Sequence, residues 1–467
     1  MAMVHISNKP LTVNPLKVSQ PMGATLAVLG LDQAVPLQHG AQGCTAFSKV
    51  FFTRHFREPV PLQTTAMDQV VTVMGADNSV IEALRTVAEL NNPEVIGLMT
   101  TGLTETQGAD IARTVKEFQR SSPEFMDISV IPINTPDTLG SLESGYARAL
   151  EAVIEHLVPE GRVAGYRPRQ VNVLLSSMLT PGDAEAVRAW VEAFGLRPVM
   201  LPDLGGSLDG HFDPAGFSTL SRGGVSRIDV ATMGKSIATL AVGPSVFTAA
   251  DRLKARTGVP DHRFDGLMGL AACDAFTEVL AGLSGRSVPD GIDRLREQLL
   301  DAMVDTHFVL GALRLGVAAD PDHLGMLAHF LTGVGIQVVA AVASSRAEGL
   351  VDLPIEAVVV GDLEDLEAQA QAGKAQVLIA NSHGADIAER LRIPLLRAGF
   401  PLYDIFGGAA RKWVGYAGSR QALFDLANLA STARPEIAPY HSLYGKERPP
   451  EMDGSVPAVS GASTLLG

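Results

Sequence analysis

Val171-Asn172-Val173-Leu174-Leu175-Ser176, then Thr180-Pro181, then Gly195 ahead of Leu196-Arg197-Pro198-Val199-Met200-Leu201, is the stretch on which the fold of this chain turns. The first run is almost wholly apolar, which suits a strand buried on both faces. Threonine followed by proline is a helix start: the threonine hydroxyl caps free N–H groups and proline presets the first helical φ. Glycine after a helical run ends it, and the next apolar run is a second strand. The same syntax returns in residues 313–318, Asp320-Pro321, Gly335 and residues 336–342, with both prolines and both glycines 140 positions apart (181 to 321 and 195 to 335). Two strand–helix–strand units of like build predict α/β layers around mainly parallel sheets, in two separate domains.

Outward from there, strand-like and helical runs alternate along most of the chain. Residues 95–100 and 128–133 read as strands with a helical run over 110–118 between them. Tyr146, Leu150, Val153, Ile154 and Leu157 form one helix stripe within 142–157. Residues 25–31 read as a strand followed by a loop containing Pro36. Together with this N-terminal third, the pattern predicts three Rossmann-like α/β domains: 1–165, 166–300 and 301–430. Residues 159–168 read as a linker, and a helical stretch over 292–308 leads into the third domain. A tail over 431–467 is rich in Pro, Gly and Ser.

With 467 residues, 46% hydrophobic and 19% charged, the chain has globular composition and is too long for one ordinary core. A formal net charge of −14 offers no broad footprint for a phosphate backbone, so nucleic acid is not an expected partner; Lys49, Arg54 and Arg57 could still form a local basic patch. No apolar run reaches a membrane span, and residues 1–21 hold no signal-peptide core, so a cytoplasmic protein with no membrane partner is expected. Two cysteines, Cys44 and Cys273, argue against a disulfide scaffold and rule out a self-contained cysteine-rich metal site.

Cys44 ends the run His39-Gly40-Ala41-Gln42-Gly43-Cys44. Taken alone it reads first as a buried small hydrophobe, the common state of a free cysteine. Glycines ahead of a thiol also let backbone approach a bulky ligand such as an iron–sulfur cluster. Cys273, in Leu270-Ala271-Ala272-Cys273-Asp274-Ala275-Phe276, reads as core. The histidines have no zinc spacing; His323 and His329 read as surface or satisfied core residues. Asp203-Leu204-Gly205-Gly206 and Phe406-Gly407-Gly408 match no phosphate loop. Asn381-Ser382-His383-Gly384 follows the strand over 377–380, where α/β proteins place ligands, and a polar helix cap is an equal reading. No hydrolytic constellation is singled out by spacing.

Taken together, Asn14-Pro15-Leu16-Lys17, Ser19-Gln20-Pro21, Gly23-Ala24, Gln42-Gly43-Cys44-Thr45-Ala46-Phe47, Arg54-His55-Phe56-Arg57-Glu58, Leu62-Gln63-Thr64-Thr65-Ala66-Met67 and Thr100-Thr101-Gly102-Leu103-Thr104-Glu105 resemble, in order, the nitrogenase component 1 superfamily. Asn381-Ser382-His383-Gly384, Ile393-Pro394-Leu395 and Arg397-Ala398-Gly399-Phe400-Pro401 resemble its third-domain motif. The resemblance runs to about Gly418 and is closest to the NifN family, β-like and concerned with biosynthesis of the iron–molybdenum cofactor of nitrogenase.

That resemblance has implications for cluster ligands, partners and role. The catalytic β subunit of nitrogenase carries three cysteine ligands for its larger interface cluster. Here Cys44 matches one, while the others fall on Leu62 and Gly102, which offer no side-chain donor. Ser141, where that subunit has a serine near its cluster, reads as a turn or helix-cap residue. A [4Fe–4S] cluster takes four thiolates, so Cys44 implies three more from a NifE-type partner in an α2β2 heterotetramer. The family's precursor cluster comes from NifB, is held mainly by the partner subunit, and receives molybdenum and homocitrate with help from the nitrogenase iron protein. The chain is then an assembly scaffold without its own substrate site. The alternatives are a working reductase subunit (nitrogenase β or the B subunit of dark-operative protochlorophyllide reductase) and a periplasmic solute-binding module. Leu62 and Gly102 weigh against nitrogenase β, the absence of the reductase's terminal signatures against the B subunit, and the missing signal peptide against the solute-binding module.

Overall fold

The computed structural model describes residues 1–9, 11–68, 77–137, 140–212 and 216–432. Nearly all of the tail expected over 431–467 lies outside the described residues. Fourteen strands are described within 1–432 and form three parallel sheets. The first sheet is built from β2 (Ala34–Gln38), β3 (Gln63–Thr64), β4 (Val95–Met99) and β5 (Ser129–Ile133), in the order β3-β2-β4-β5. The second holds β6 (Gln170–Leu175), β7 (Arg197–Leu201), β8 (Ala238–Val242) and β9 (Asp261–Phe264), in the order β7-β6-β8-β9. The third has β10 (Arg314–Ala319), β11 (Gln337–Ala343), β12 (Ala357–Val360), β13 (Val377–Ala380) and β14 (Leu395–Arg397). Its far edge is β1 (Met3–Ile6), paired in parallel with β12, so the order is β1-β12-β11-β10-β13-β14.

The repeat read from the sequence is present in the second and third sheets. Thr180 caps the helix Pro181–Ala193, accepting the Asp183 N–H at 3.0 Å, and Gly195 turns the chain into β7 at φ +73°. Asp320 and Pro321 open the helix Pro321–Gly333, and Gly335 turns at φ +85° into β11. Both glycines occupy the left-handed region that a side chain would strain.

Residues 25–31 are not a strand. Residues 25–29 complete the helix Gln20–Leu29, started by Pro21 in its first turn and buried on every face, and Gly30 caps it. A short, wholly apolar run looks alike as a buried strand or a buried helix, because neither leaves a polar stripe. Close approach explains the burial: a Cβ on Gly23 would lie 1.8 Å from the Leu142 carbonyl oxygen, and one on Gly145 would lie 2.0 Å from that of Gln20. Two helices, Gln20–Leu29 and Leu142–Leu157, thus cross with backbone against backbone.

Pro36 belongs to β2, not to a loop. The Gln33 carbonyl accepts from Val95 N–H and His39 N–H donates to the Met99 carbonyl, so odd-numbered residues face β4. The Gln38 carbonyl accepts from Thr65 N–H on the other side. Pro36 therefore turns its missing N–H toward β3, whose pairing covers only Leu37 and Gln38. At that level β2 is an edge, where proline costs no ladder bond. Among the described residues, no helix is long and apolar enough to cross a membrane.

Candidate functional site: the Cys44 helix and its surroundings

The first sheet delivers β2 to His39 and Gly40, and the chain enters the helix Gln42–Phe56 at once. Cys44 sits in the first turn of that helix with an exposed thiol, so the buried reading is wrong. Its neighbours explain why. Thr45 and Ser48 face inward, 3% and 4% exposed, and occupy the buried side of the helix. Phe47 and Val50 stand out at 71% and 52% exposed, leaving an apolar surface beside the thiol. A Cβ on Gly43 would meet nothing within 4 Å, so the space next to Cys44 is open.

The loop is held from two sides. On one, the Thr65 hydroxyl accepts the Gly40 N–H at 3.2 Å and pairs with His39 Nδ1 at 2.9 Å, while Thr101 Oγ1 donates to the His39 carbonyl at 2.9 Å. On the other, the Gln38 carboxamide accepts from Thr45 Oγ1 at 3.1 Å and donates to Ser48 Oγ at 3.3 Å. Sequence reading missed Gln38, although a polar residue closing the apolar strand Ala34–Gln38 is the kind of signal that marks a buried network.

The two positions that carry no thiol are placed differently. Leu62 is fully buried, and Gly102 begins the short helix Gly102–Thr106 beside Asp137. Ser141 caps the helix Leu142–Leu157, where its N–H donates to Ser144 Oγ at 2.9 Å, in keeping with its reading as a cap. Cys273 is buried in the helix Leu270–Ser284, its Sγ 3.4 Å from the Leu267 carbonyl, and burial pushes its thiol pKa up. His323 is buried rather than satisfied: Nε2 has no partner among the described residues, and burial lowers its pKa to about 4.

The two distant motif groups meet along the Cys44 helix. His55 Nδ1 accepts the Leu402 N–H at 2.8 Å, and burial lowers the imidazole to about 3, so it stays neutral. Phe52 packs on Phe400 with ring centroids 5.6 Å apart, and Phe51 meets the His383 ring edge-on at 6.1 Å. Arg54 lies over the Tyr403 ring at 4.3 Å, and Arg57 donates to the Tyr403 carbonyl at 2.8 Å. Two members of the expected basic patch are thus engaged with the loop after β14. Asn381 Oδ1 accepts the His383 N–H at 3.1 Å and Nδ2 donates to the Phe400 carbonyl at 2.9 Å, which makes Asn381 the cap of the turn after β13.

Among the described residues, no group of three or more His, Cys, Asp or Glu side chains is gathered to hold a metal ion. What this chain presents is one exposed thiol on a braced helical turn, with room in front of it.

Known proteins share this architecture. The family model described as nitrogenase component 1 type oxidoreductase matches residues 19–431. The nitrogenase iron-molybdenum cofactor biosynthesis protein NifN of Klebsiella pneumoniae is 46% identical over 442 residues, covering 95% of this chain and 96% of that protein. NifN of Nostoc sp. is 44% identical, covering 92% and 95%. A solved structure of nitrogenase Cp1 at pH 6.5 superposes with a TM-score of 0.85 at 27% identity, over 91% of this chain and 95% of that one. The chain therefore belongs to the nitrogenase component 1 type oxidoreductase family and, within it, to NifN.

Proposed function

We propose that this chain is the β-like subunit of the NifEN scaffold complex on which the iron–molybdenum cofactor of nitrogenase is assembled, acting in the cytoplasm. The relatives' names support cofactor biosynthesis over a working reductase subunit. In this reading Cys44 gives one thiolate to a [4Fe–4S] cluster, and a NifE-type partner gives three within an α2β2 heterotetramer. The precursor from NifB rests mainly on the partner while molybdenum and homocitrate are inserted with help from the nitrogenase iron protein. The chain has no catalytic activity of its own.

The observation that carries the reading is the state of the Cys44 thiol. It is exposed on the first turn of Gln42–Phe56, beside the open space at Gly43 and the exposed Phe47 and Val50. A structural cysteine is expected to be buried, as Cys273 is. The donor set fits one corner of a shared cluster: the chain has two cysteines, and the other is enclosed. Leu62 and Gly102 leave no side-chain donors for an eight-iron cluster. An iron–sulfur cluster, when bound, supplies one-electron storage; this chain's residues hold the ligand turn in place, and the apolar face of Phe47 and Val50 excludes water once a partner covers it.

Anaerobic co-purification with the partner, followed by iron and sulfide analysis and electron paramagnetic resonance, tests the proposal. Cys44→Ala is expected to lose or degrade the shared cluster signal while the complex still assembles. An unchanged cluster spectrum in that variant would remove Cys44 as a ligand.

A further inference from the structure

We propose that Gln38 is the positioning residue of the Cys44 thiol, its buried carboxamide locking the first turns of the helix Gln42–Phe56 to the end of β2. The inference rests on the reading of Cys44 as a cluster ligand and adds what fixes the direction in which its thiol leaves the surface.

Gln38 is 1% exposed and uses both ends of its amide. Oε1 accepts from Thr45 Oγ1 at 3.1 Å, and Nε2 donates to Ser48 Oγ at 3.3 Å and to Thr25 Oγ1 at 3.1 Å. Ser48 Oγ in turn donates to the Cys44 carbonyl at 3.0 Å. One side chain therefore reaches the residue after the cysteine, the residue one turn on and, through that hydroxyl, the cysteine's own backbone. Thr45 and Ser48 lie three apart on one helix face, so holding both sets the rotation of the helix about its axis. Cys44, next in sequence to Thr45, has its direction set with them.

The geometry leaves little slack elsewhere. Only residues 39–41 join β2 to the helix, and Thr101 and Thr65 pin the His39 carbonyl and the Gly40 N–H. Thr25 anchors the far side of the amide, and its own hydroxyl donates to the Pro21 carbonyl at 2.8 Å in the buried helix Gln20–Leu29. A carboxamide suits this place because it donates and accepts at once. Methionine has nearly its shape and neither capacity, and it would leave the buried Thr45 and Ser48 hydroxyls without that partner.

The test has two independent readouts. In the full chain prepared without iron loading, amide hydrogen exchange over residues 46–50 is followed by mass spectrometry, and iodoacetamide protection of buried Cys273 reports that the fold is intact. Gln38→Met is expected to speed that exchange about fivefold, the effect of losing roughly one net hydrogen bond from the turn, with Cys273 still protected. In the anaerobically purified complex, the same variant is expected to keep its iron but shift the cluster's paramagnetic g-values and midpoint potential. Unchanged exchange or an unchanged spectrum would overturn the proposal. If Gln38→Met exposes Cys273, Ser48→Ala decides: faster exchange supports the lock and an unchanged rate overturns it. A Cys44→Ala complex with an unaltered cluster would sink the ligand reading alone, and exchange would still judge Gln38.

Discussion

Glu143 and Asp322 stand 179 positions apart, yet Oε2 of the Glu143 carboxyl accepts the Asp322 backbone N–H at 2.8 Å. Asp322 in turn accepts from Ser176 Oγ and Ser245 Oγ, each at 2.6 Å. The contact joins the helix Leu142–Leu157, the ends of β6 and β8, and the start of the helix Pro321–Gly333, so all three sheets are tied at one buried point. Burial pushes Glu143 well above the ordinary carboxylate range, and the charges of Asp322 and Asp320 add to the shift. Asp320 is raised to about 6, again chiefly by burial.

A carboxyl with a raised folded pKa binds more protons folded than unfolded. Its contribution is present below the ordinary carboxylate range and lost as pH climbs through the raised value. The chain's unfolding midpoint is therefore expected to fall as pH rises through about 6 and beyond, first through Asp320 and then through Glu143. Glu143→Gln keeps an acceptor for the Asp322 N–H and removes the titration. Thermal unfolding across this range should show a shallower slope in the variant; an identical slope would exclude Glu143 as its source.

His55 acts in the opposite direction. Burial holds the imidazole near 3, so the unfolded chain takes up the proton first and stability is lost as pH falls from the ordinary imidazole range toward that value. His55→Leu should flatten the acid side of the stability profile. It should also cost about 1–3 kcal/mol near neutrality, because the Leu402 N–H loses its acceptor. Urea unfolding at several pH values separates the two effects.

Gly23 and Gly43 are expected to respond oppositely to alanine. At Gly23 the added carbon meets the backbone of Leu142, which has no way to yield. The expected loss is about 3 kcal/mol or more, the upper end for overpacking. At Gly43 there is open space on an exposed first helical turn, and alanine should stabilise the isolated chain by about 0.5–1 kcal/mol. If the neighbouring surface is covered in the complex, Gly43→Ala should nevertheless weaken co-purification with the partner.

Asp183 is completely buried and accepts the Trp413 and Val414 N–H groups at 2.6 and 3.0 Å, together with the Thr180 N–H at 3.0 Å. Asp183→Ala strands all three donors and should cost about 3 kcal/mol or more, read as a lowered denaturant midpoint. Asp183→Asn keeps one acceptor oxygen and should lose less.

The sequence disclosed those parts of the fold whose signals are local. Thr180-Pro181 with Gly195, and Asp320-Pro321 with Gly335, announce their helices because caps and left-handed turns are settled by the residues in them. The helix Gln20–Leu29 stayed hidden, since a face buried all round has no period to read. Cys44 could be located as the candidate ligand, but its exposure depends on which way Gln38, Thr45 and Ser48 rotate the helix, and that is decided by tertiary contacts. The same holds for Glu143 and Asp322, which no spacing rule connects.

Strand β1 matters for handling and for biogenesis. Residues Met3–Ile6 leave the ribosome long before their neighbours Ala357–Val360 exist, so the border of the third sheet stays open until late in translation. A purification tag fused ahead of Met3 would burden that border, and trimming residues 3–6 would be felt hundreds of residues downstream.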